Sequence, residues 1–317
     1  METKNDFFND PILVRTQQIS LPILEEKGVE LCIKREDEIH PFVSGNKFRK
    51  LKYNLLEAQN HQKKTILTFG GAFSNHIVAT AVAGKIMGFN TIGVIRGDEL
   101  VIDFNKTIQG NSTLQKAQKD GMKFEFVSRE DYKTKTSKTF LRKLKEKFGD
   151  FYLIPEGGTN ELAIKGCEEI LTTQDSNFDY ICCAIGTGGT IAGLINASLK
   201  HQKVIGFPAL KGDFLSKEIE KYATKNNWYL QTEYHFGGYA KYNSTLIRFI
   251  NEFKNKTTVL LDPVYTSKML FGLLEMIKNN NFEKGTKILV IHTGGLQGIS
   301  GFNKKIKNKN EEIIFLK

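Results

Sequence analysis

A lysine at the start of a predicted helix is the first residue of this sequence whose setting suggests chemistry. Lys47 follows the turn Ser44-Gly45-Asn46. The apolar residues behind it recur at helical spacing, at Phe48, Leu51, Leu55 and Ala58. The positive end of the helix dipole, the like charge of Lys50 and any burial all disfavour a charged amine at position 47. We therefore expect Lys47 to have a lowered pKa and to be able to form a Schiff base; an ordinary basic patch on an exposed helix is the alternative.

A glycine-rich loop between a predicted buried strand and a predicted helix is the second such feature. It consists of Gly186, Thr187, Gly188, Gly189 and Thr190. Glycines expose successive backbone N–H groups, and the helix end adds positive potential, so the loop can hold a phosphate. The dinucleotide pattern would need a glycine at Ile191, and no Walker A lysine follows. The loop therefore suits a single phosphate, with a plain strand-to-helix turn as the alternative.

A third turn has the same design with polar side chains added. The segment 70–76 ends in Ser74, Asn75 and His76 at the start of a helix rich in small residues. The first N–H groups of that helix can bind a carboxylate, and Ser74 or Asn75 can cap it. A simple N-cap is the alternative for the turn, and a buried core histidine is the alternative for His76.

These three features together predict pyridoxal 5′-phosphate as the cofactor. Lys47 would hold its aldehyde, the Gly186–Thr190 loop its phosphate, and the turn at Ser74 the carboxylate of an amino acid. A run of charges precedes the lysine, from Arg35 to Glu38. That run is either a solvated turn or a carboxylate group that helps to position the lysine.

Strands alternate with helices along the whole chain, which predicts parallel sheets with helices on both faces. Short apolar runs predict strands, among them 65–69, 91–95 and 180–185, and also 229–234 and 257–261. The 317 residues are enough for one large domain or two of medium size. Two α/β lobes with a cleft between them account for this order.

Composition argues against several other classes of protein. The sequence has no apolar run of about 18 residues and no signal-peptide pattern at its beginning, so we expect no membrane contact. The four cysteines show no CxxC spacing, so we expect a reducing, cytoplasmic compartment and no metal site. The net charge is +10, but the lysines are scattered and lack interleaved aromatic residues. We therefore expect no nucleic-acid partner.

Motifs spread along the chain carry a family resemblance. They are, in order, 34–37, 45–51, 74–76, 155–158, the loop at Gly186, 262–265 and 292–295. From about residue 20 to 302 the sequence resembles the 1-aminocyclopropane-1-carboxylate deaminase and D-cysteine desulfhydrase family. The resemblance implies fold type II: an α/β protein with two open, twisted, mostly parallel sheets flanked by helices and a cofactor cleft between the lobes. It also implies a homodimer, and a small domain at 43–150 inserted into a larger domain formed by 1–42 and 151–317.

The resemblance assigns roles by position. Lys47, Ser74, Tyr239 and Tyr265 match catalytic positions. Cofactor-binding positions are matched by Lys47, Lys50, Asn75, Gly186, Thr187, Gly188, Gly189, Thr190 and Thr293. The substrate would be a small amino acid, bound by Ser74, Asn75, His76, Tyr239 and Tyr265.

Two threonines favour one branch of the family. Ring-opening deaminases carry glutamate at the position of Thr266, where it pairs with the pyridine nitrogen, and leucine at the position of Thr293. A hydroxyl group leaves that nitrogen largely neutral, which suits α,β-elimination better than opening a cyclopropane. His76, where deaminases have glutamine, points the same way. We therefore expect a D-cysteine desulfhydrase-like lyase; the alternatives are a 1-aminocyclopropane-1-carboxylate deaminase and a non-catalytic basic protein that has kept the fold.

Overall fold

Two separate sheets organise the computed structural model, which describes residues 7–8, 12–212, 214–307 and 311–316. Residues 1–6, where we looked for a targeting signal, lie outside the described residues. Within the described ranges the strands are, in chain order, β1 (Thr16–Ile19), β2 (Glu30–Lys34), β3 (Thr65–Gly71), β4 (Asn90–Arg96), β5 (Met122–Val127), β6 (Tyr152–Ile154), β7 (Tyr180–Ile185), β8 (Lys203–Pro208), β9 (Trp228–Leu230) and β10 (Lys287–Ile291).

Helices follow most of the strands, as the sequence predicts. In the same ranges they are α1 (Pro22–Lys27), α2 (Asn46–Asn60), α3 (Asn75–Met87), α4 (Phe104–Gly110), α5 (Ser112–Lys119), α6 (Arg129–Lys133), α7 (Lys138–Phe148), α8 (Glu161–Glu168), α9 (Gly189–Ala197), α10 (Phe214–Glu220), α11 (Ser244–Thr257), α12 (Thr266–Lys278) and α13 (Ile299–Lys307). None of these helices is both long enough and apolar enough to cross a membrane.

The two sheets differ in strand order and in strand direction. The larger sheet has the order β1-β2-β10-β7-β8-β9 and is parallel except for the pair β1 and β2. The smaller sheet has the order β5-β4-β3-β6 and is parallel throughout. The predicted fold class, two mostly parallel sheets flanked by helices, is confirmed. The domain boundaries at 43 and 150 stay a prediction; β6, just beyond residue 150, still pairs with β3.

Apolar strands covered on both faces explain why the sheets are stable. In β7 the side chains of Ile181, Cys182 and Cys183 are fully buried. Parallel strands covered by helices on both faces carry such continuous apolar runs, and each buried aliphatic side chain contributes about 1.5–3 kcal/mol. The small residues of α3 allow a close helix–strand approach, since a Cβ atom at Gly84 would lie 2.3 Å from Thr91 Cγ2.

Two strand predictions differ from the structure. Residues 257–261 form no strand, because α11 runs to Thr257 and ends at Thr258, which has the left-handed φ of 63°. Val259 and Leu261 are fully buried in loop structure, so their alternation reflects burial and not strand pairing. The strand predicted at 229–234 is shorter and lies at Trp228–Leu230.

Candidate active site

A cavity of about 440 Å³ lies where strands of both sheets end. The turns after β3, β7 and β10 open into it, which is the usual position for a ligand site in parallel α/β sheets. Its lining includes the predicted residues Lys47, Lys50, Ser74, Asn75, His76, Gly186, Thr187, Gly188, Thr190, Tyr239, Tyr265 and Thr293. Gly189 is not part of the lining but lies directly behind it, since a Cβ atom there would be 3.1 Å from Lys50 Nζ. The fold thus brings together residues that are far apart in the sequence.

The turn before Lys47 is packed against the turn after β10. Gly45 has a φ of +57°, and a Cβ atom at this position would lie 2.1 Å from the carbonyl oxygen of Thr293. Glycine is therefore required here on both conformational and steric grounds. The Gly45 N–H also donates to the carbonyl of Glu36 over 2.7 Å. These contacts fix where α2 begins and hence where Lys47 points.

The pKa of Lys47 is lowered from 10.5 to about 7. Burial of the amine is the main cause, and the positive charge of Lys50 is the next. Its Nζ lies 3.2 Å from Asn46 Oδ1, and the amide nitrogen of Asn46 donates to Thr190 Oγ1 over 2.8 Å. The predicted lowering is confirmed, and Lys47 is tied through Asn46 to the glycine-rich loop.

Lys50 lies between two glycine-containing turns. Its Nζ donates to the Gly157 carbonyl over 3.2 Å, to Thr159 Oγ1 over 3.0 Å and to Thr187 Oγ1 over 3.4 Å. No carboxylate lies within ion-pair distance of Lys50 in the described part of the chain. Gly188 next to it takes the left-handed φ of +84°, and α9 begins at Gly189. A cation without a counter-ion, hydroxyl groups and a helix N-terminus together form a cradle for an anion.

The charged segment before the lysine is not a solvated turn. Glu36 is fully buried, and its carboxylate accepts two hydrogen bonds from Arg49, of 2.9 and 2.8 Å. Asp37 accepts two from Arg35, and its Oδ1 lies 3.5 Å from His292 Nδ1. Of the two interpretations of this run, the structure supports the second, in which a carboxylate positions the lysine helix.

The backbone N–H groups at the start of α3, just after Ser74, are available to bind a ligand. Ser74 is the N-cap of α3, yet its side chain makes no capping hydrogen bond. The first N–H groups of a helix have no intrahelical acceptors, so this end of α3 can receive a carboxylate. Asn111 holds the turn from behind by donating to the Ala72 carbonyl over 2.9 Å. The Asn75 side chain accepts from Gln297 over 3.2 Å, and Gln297 also lines the cavity.

His76 is neutral and keeps one nitrogen free. Burial and the charges of Lys47 and Lys50 hold its pKa well below the usual value. Its Nε2 lies 2.8 Å from Thr68 Oγ1, and that hydroxyl donates to the Ile154 carbonyl over 2.8 Å. Nε2 is therefore assigned as the N–H donor. Nδ1 is left as a buried acceptor with no partner among the described residues.

Two tyrosines form one wall of the cavity. The rings of Tyr239 and Tyr265 meet edge to face with centroids 6.1 Å apart. Burial raises the pKa of both phenols, and that of Tyr265 lies well above its usual value. Buried Lys268 holds the loop that carries Tyr239 by donating to the carbonyls of His235 and Gly238 over 2.9 and 2.8 Å.

The two threonines that the sequence singles out have different environments. Thr293 lines the cavity. Thr266 is fully buried, and its hydroxyl donates to Asp262 Oδ1 over 2.8 Å and accepts from the Asp262 N–H over 3.0 Å. The expectation that Thr266 faces the cofactor therefore needs correction, because its hydroxyl stabilises the start of α12.

Sequence reasoning assigned no site role to the residues in the outer part of the cavity, although two of them lie in the segments 70–76 and 155–158 that it singled out. Its wall includes Phe73, Arg96, Glu99, Arg129 and Glu156. Arg96 ends β4, so the rule that sites form at the carboxyl ends of strands would have found it. The others lie on turns and short helices, where no sequence pattern predicts a shared wall.

The residues present fit pyridoxal phosphate. Lys47 supplies a buried amine with a pKa near neutrality, and the Lys50 cradle supplies cationic, hydroxyl and backbone N–H donors for a phosphate. His76 Nδ1 adds a buried acceptor that still lacks a donor. Amine, phosphate cradle and polar side chains line one cavity, as this cofactor requires.

Comparison with known proteins agrees with this geometry. The sequence model of the pyridoxal-phosphate dependent enzymes matches residues 10–294. A bifunctional D-cysteine desulfhydrase/1-aminocyclopropane-1-carboxylate deaminase of Arabidopsis thaliana is 34% identical over 86% of this chain and 74% of the relative. A putative 1-aminocyclopropane-1-carboxylate deaminase of Pyrococcus furiosus is 32% identical over 88% of each chain. The crystal structure of an ACC deaminase homologue superposes with a TM-score of 0.79 at 25% identity, over 97% of this chain and 99% of that one.

Proposed function

Since the chain belongs to the pyridoxal-phosphate dependent enzymes, in the family of 1-aminocyclopropane-1-carboxylate deaminases and D-cysteine desulfhydrases, we propose that it is a lyase for small D-amino acids. The proposed reaction is α,β-elimination from D-cysteine. The α-proton leaves, the Cβ–S bond breaks, and sulfur departs with the bonding electrons. Water supplies the carbonyl oxygen of pyruvate, and the nitrogen leaves as ammonia.

One observation carries this choice. Among the described residues, the side chain that lines the cavity just after the end of β10 has a hydroxyl group and not a carboxylate. That hydroxyl belongs to Thr293. The acidic side chains in the cavity wall are paired, Glu99 with Arg129 and Glu156 with Lys135. Without an acid beside it, the pyridine nitrogen of the cofactor stays largely neutral, which suffices for elimination from a substrate with an α-proton.

The cofactor supplies an electron sink that stabilises negative charge on the α-carbon. The chain's own residues bind and orient the substrate. The N–H groups at the start of α3 and the Ser74 hydroxyl receive the α-carboxylate. The amine of Lys47, with a pKa of about 7, takes up or releases a proton at neutral pH. Tyr239 and Tyr265 stay protonated, so they act as hydrogen-bond donors at the substrate side chain.

Ring opening of 1-aminocyclopropane-1-carboxylate is the second candidate. The names of the relatives in Arabidopsis and Pyrococcus favour it, since both include this deaminase activity. Assays with D-cysteine, L-cysteine and the cyclopropane amino acid distinguish the two reactions. The products measured are pyruvate, 2-oxobutanoate and sulfide. Faster release of 2-oxobutanoate from the cyclopropane than of pyruvate from D-cysteine would overturn the proposal.

A non-catalytic binding protein is the candidate from another class. Visible absorbance from a lysine-bound cofactor, lost in Lys47→Ala, would dismiss it. The homodimer and the cytoplasmic location stay predictions. Light scattering on the purified holoenzyme and fractionation of the source cells would test them.

A further inference from the structure

Arg96 occupies the outer wall of the cavity beside the turn that receives the α-carboxylate. It is the last residue of β4 and pairs in register with Gly71 of β3. Its Nη2 lies 3.9 Å from the position that a Cβ atom would take at Gly71. The Arg96 side chain is exposed and lines the cavity. Its guanidinium is therefore within reach of any ligand that extends outward from the Ser74 turn.

Among the described residues Arg96 has no counter-ion, whereas Arg129 and Lys135 in the same region do. Arg129 Nη2 lies 2.6 Å from Glu99 Oε1, and Lys135 Nζ lies 3.2 Å from Glu156 Oε2. Across the described ranges, Arg96 has neither a carboxylate within 4 Å nor a hydrogen-bond acceptor. Its guanidinium lies over the ring of Tyr132 instead, 5.7 Å from the centroid. Because Tyr132 is buried, this ring is a fixed platform that holds the guanidinium and leaves its N–H donors unused.

The charge of Arg96 acts on the interior of the site. It lowers the pKa of the Tyr239 phenol, against the larger effect of burial, which raises it. Both residues line the cavity, Arg96 from the smaller sheet and Tyr239 from the loop that Lys268 holds. Lys47 lines the same cavity, and we assign the part beside Arg96 to the substrate side chain.

The other anions of the proposed complex already have partners. The phosphate is assigned to the Lys50 cradle on the larger sheet. The α-carboxylate is assigned to the N-terminus of α3. A guanidinium with five donors and no acceptor is therefore left for a third anion.

We propose that Arg96 forms a subsite for a second acidic group on the substrate, at the far end of its β-substituent. The preferred substrate is then a D-amino acid whose leaving group ends in a carboxylate or a comparable anion. The planar N–H donors of arginine suit such a group. This inference rests on the proposed elimination reaction and specifies the substrate class that undergoes it.

A matched pair of substrates tests the subsite. S-carboxymethyl-D-cysteine carries the distal carboxylate, and S-carbamoylmethyl-D-cysteine is its neutral isostere. In both, the α-proton leaves, the Cβ–S bond breaks, and sulfur keeps the electron pair as thioglycolate or its amide. Pyruvate and ammonia form as before. We expect the holoenzyme to prefer the acid in kcat/KM by about tenfold, as for one charge-assisted hydrogen bond, and the preference to fall with added salt.

Two variants separate Arg96 from a general effect of charge. Arg96→Gln should bring the ratio of kcat/KM for acid over amide to about one. Arg129→Gln removes the same charge from the same wall, but Arg129 is already paired with Glu99. It should leave the ratio within about twofold of the wild-type value.

Three results would overturn the subsite. The wild-type enzyme could show no preference for the acid, Arg96→Gln could lower kcat/KM equally for both substrates, or Arg129→Gln could abolish the preference as well. Equal lowering would place Arg96 at the α-carboxylate instead.

A binding measurement tests the Arg96 subsite separately from the proposed elimination reaction. D-2-Aminoadipate and its 6-amide have no β-leaving group, and calorimetry on the holoenzyme gives their affinities. Tighter binding of the acid, lost in Arg96→Gln, would support the subsite even if no D-cysteine derivative yields pyruvate. Equal binding of the acid and the amide would overturn it.

Discussion

Arg49 and Glu36 form a bidentate ion pair beneath the lysine that is proposed to hold the cofactor. Arg49 Nε and Nη2 lie 2.9 and 2.8 Å from the two carboxylate oxygens, and both side chains are buried. The Glu36 carbonyl also accepts the N–H of Gly45. Glu36, two residues after the end of β2, thus holds both the turn before Lys47 and the helix that carries it.

Glu36→Gln should destabilise the protein by about 3 kcal/mol, because it leaves the Arg49 charge buried without its counter-ion. The midpoint of urea unfolding of the holoenzyme measures the effect. Asp150→Asn breaks the exposed pair of Lys63 and Asp150 and should leave the midpoint unchanged. Equal shifts in the two variants would contradict the buried pair's role.

Local signals made much of this site predictable. Lys47 and the Gly186 loop each stand at the start of a helix, and glycine content and helical spacing are visible in a short window of sequence. The alternation of strands and helices likewise predicted parallel sheets. Contacts between distant segments were not visible, such as the insertion of β10 between β2 and β7.

The failures have identifiable physical causes. Val259 and Leu261 alternate like a strand because both are buried, but in the described part of the chain they belong to neither sheet. Thr266 was expected at the cofactor because the family resemblance places a partner of the pyridine nitrogen at this position. Instead α12 begins at Thr266, and its hydroxyl donates to Asp262. The sequence left two interpretations of the charge run at Glu36 open, because its partner Arg49 becomes apparent only in three dimensions.

The apo-protein should form an adduct between Lys47 and pyridoxal, the cofactor analogue that lacks the phosphate. The extent of adduct formation should have its pH midpoint near 7. Below that pH the amine of Lys47 is protonated and unreactive; above it the neutral form dominates. Lys50→Met removes the like charge, so the midpoint should rise, while burial keeps it below 10.5. Visible absorbance of the adduct measures it. Lys63→Met, at the surface, is the control, and a wild-type midpoint near 10 would refute the lowered pKa.

Thr187→Val should weaken binding of pyridoxal phosphate by about tenfold while leaving the affinity for pyridoxal unchanged. The substitution keeps the shape and removes a hydroxyl that contacts Lys50 and Thr159. Titration of the apo-protein with each compound, followed by absorbance, gives both dissociation constants. If both affinities fell together, Thr187 would act on the shape of the cavity and not on the phosphate.

Tyr265→Phe should lower kcat by about 100-fold without moving the pH dependence between pH 6 and 9. Burial raises the pKa of the Tyr265 phenol well above its usual value, so it stays protonated throughout this range. The decrease in kcat toward acid pH, set by the amine of Lys47 near pH 7, should remain in both enzymes. If kcat of the wild-type enzyme decreased on one side of the pH range and this decrease were absent in Tyr265→Phe, the phenol would ionise during the reaction.

Thr293→Val and Thr266→Val should have opposite effects, although both residues were interpreted from the sequence as evidence for elimination. Thr293 lines the cavity, so its loss should change the visible spectrum of the cofactor and lower kcat. Among the described residues, the Thr266 hydroxyl bonds only to Asp262. Its loss should therefore leave the spectrum unchanged and destabilise the protein by about 1–3 kcal/mol. Spectra and unfolding midpoints of both variants measure these effects. A changed spectrum in Thr266→Val alone would return Thr266 to the cofactor and contradict the assignment of Thr293 as the hydroxyl beside it.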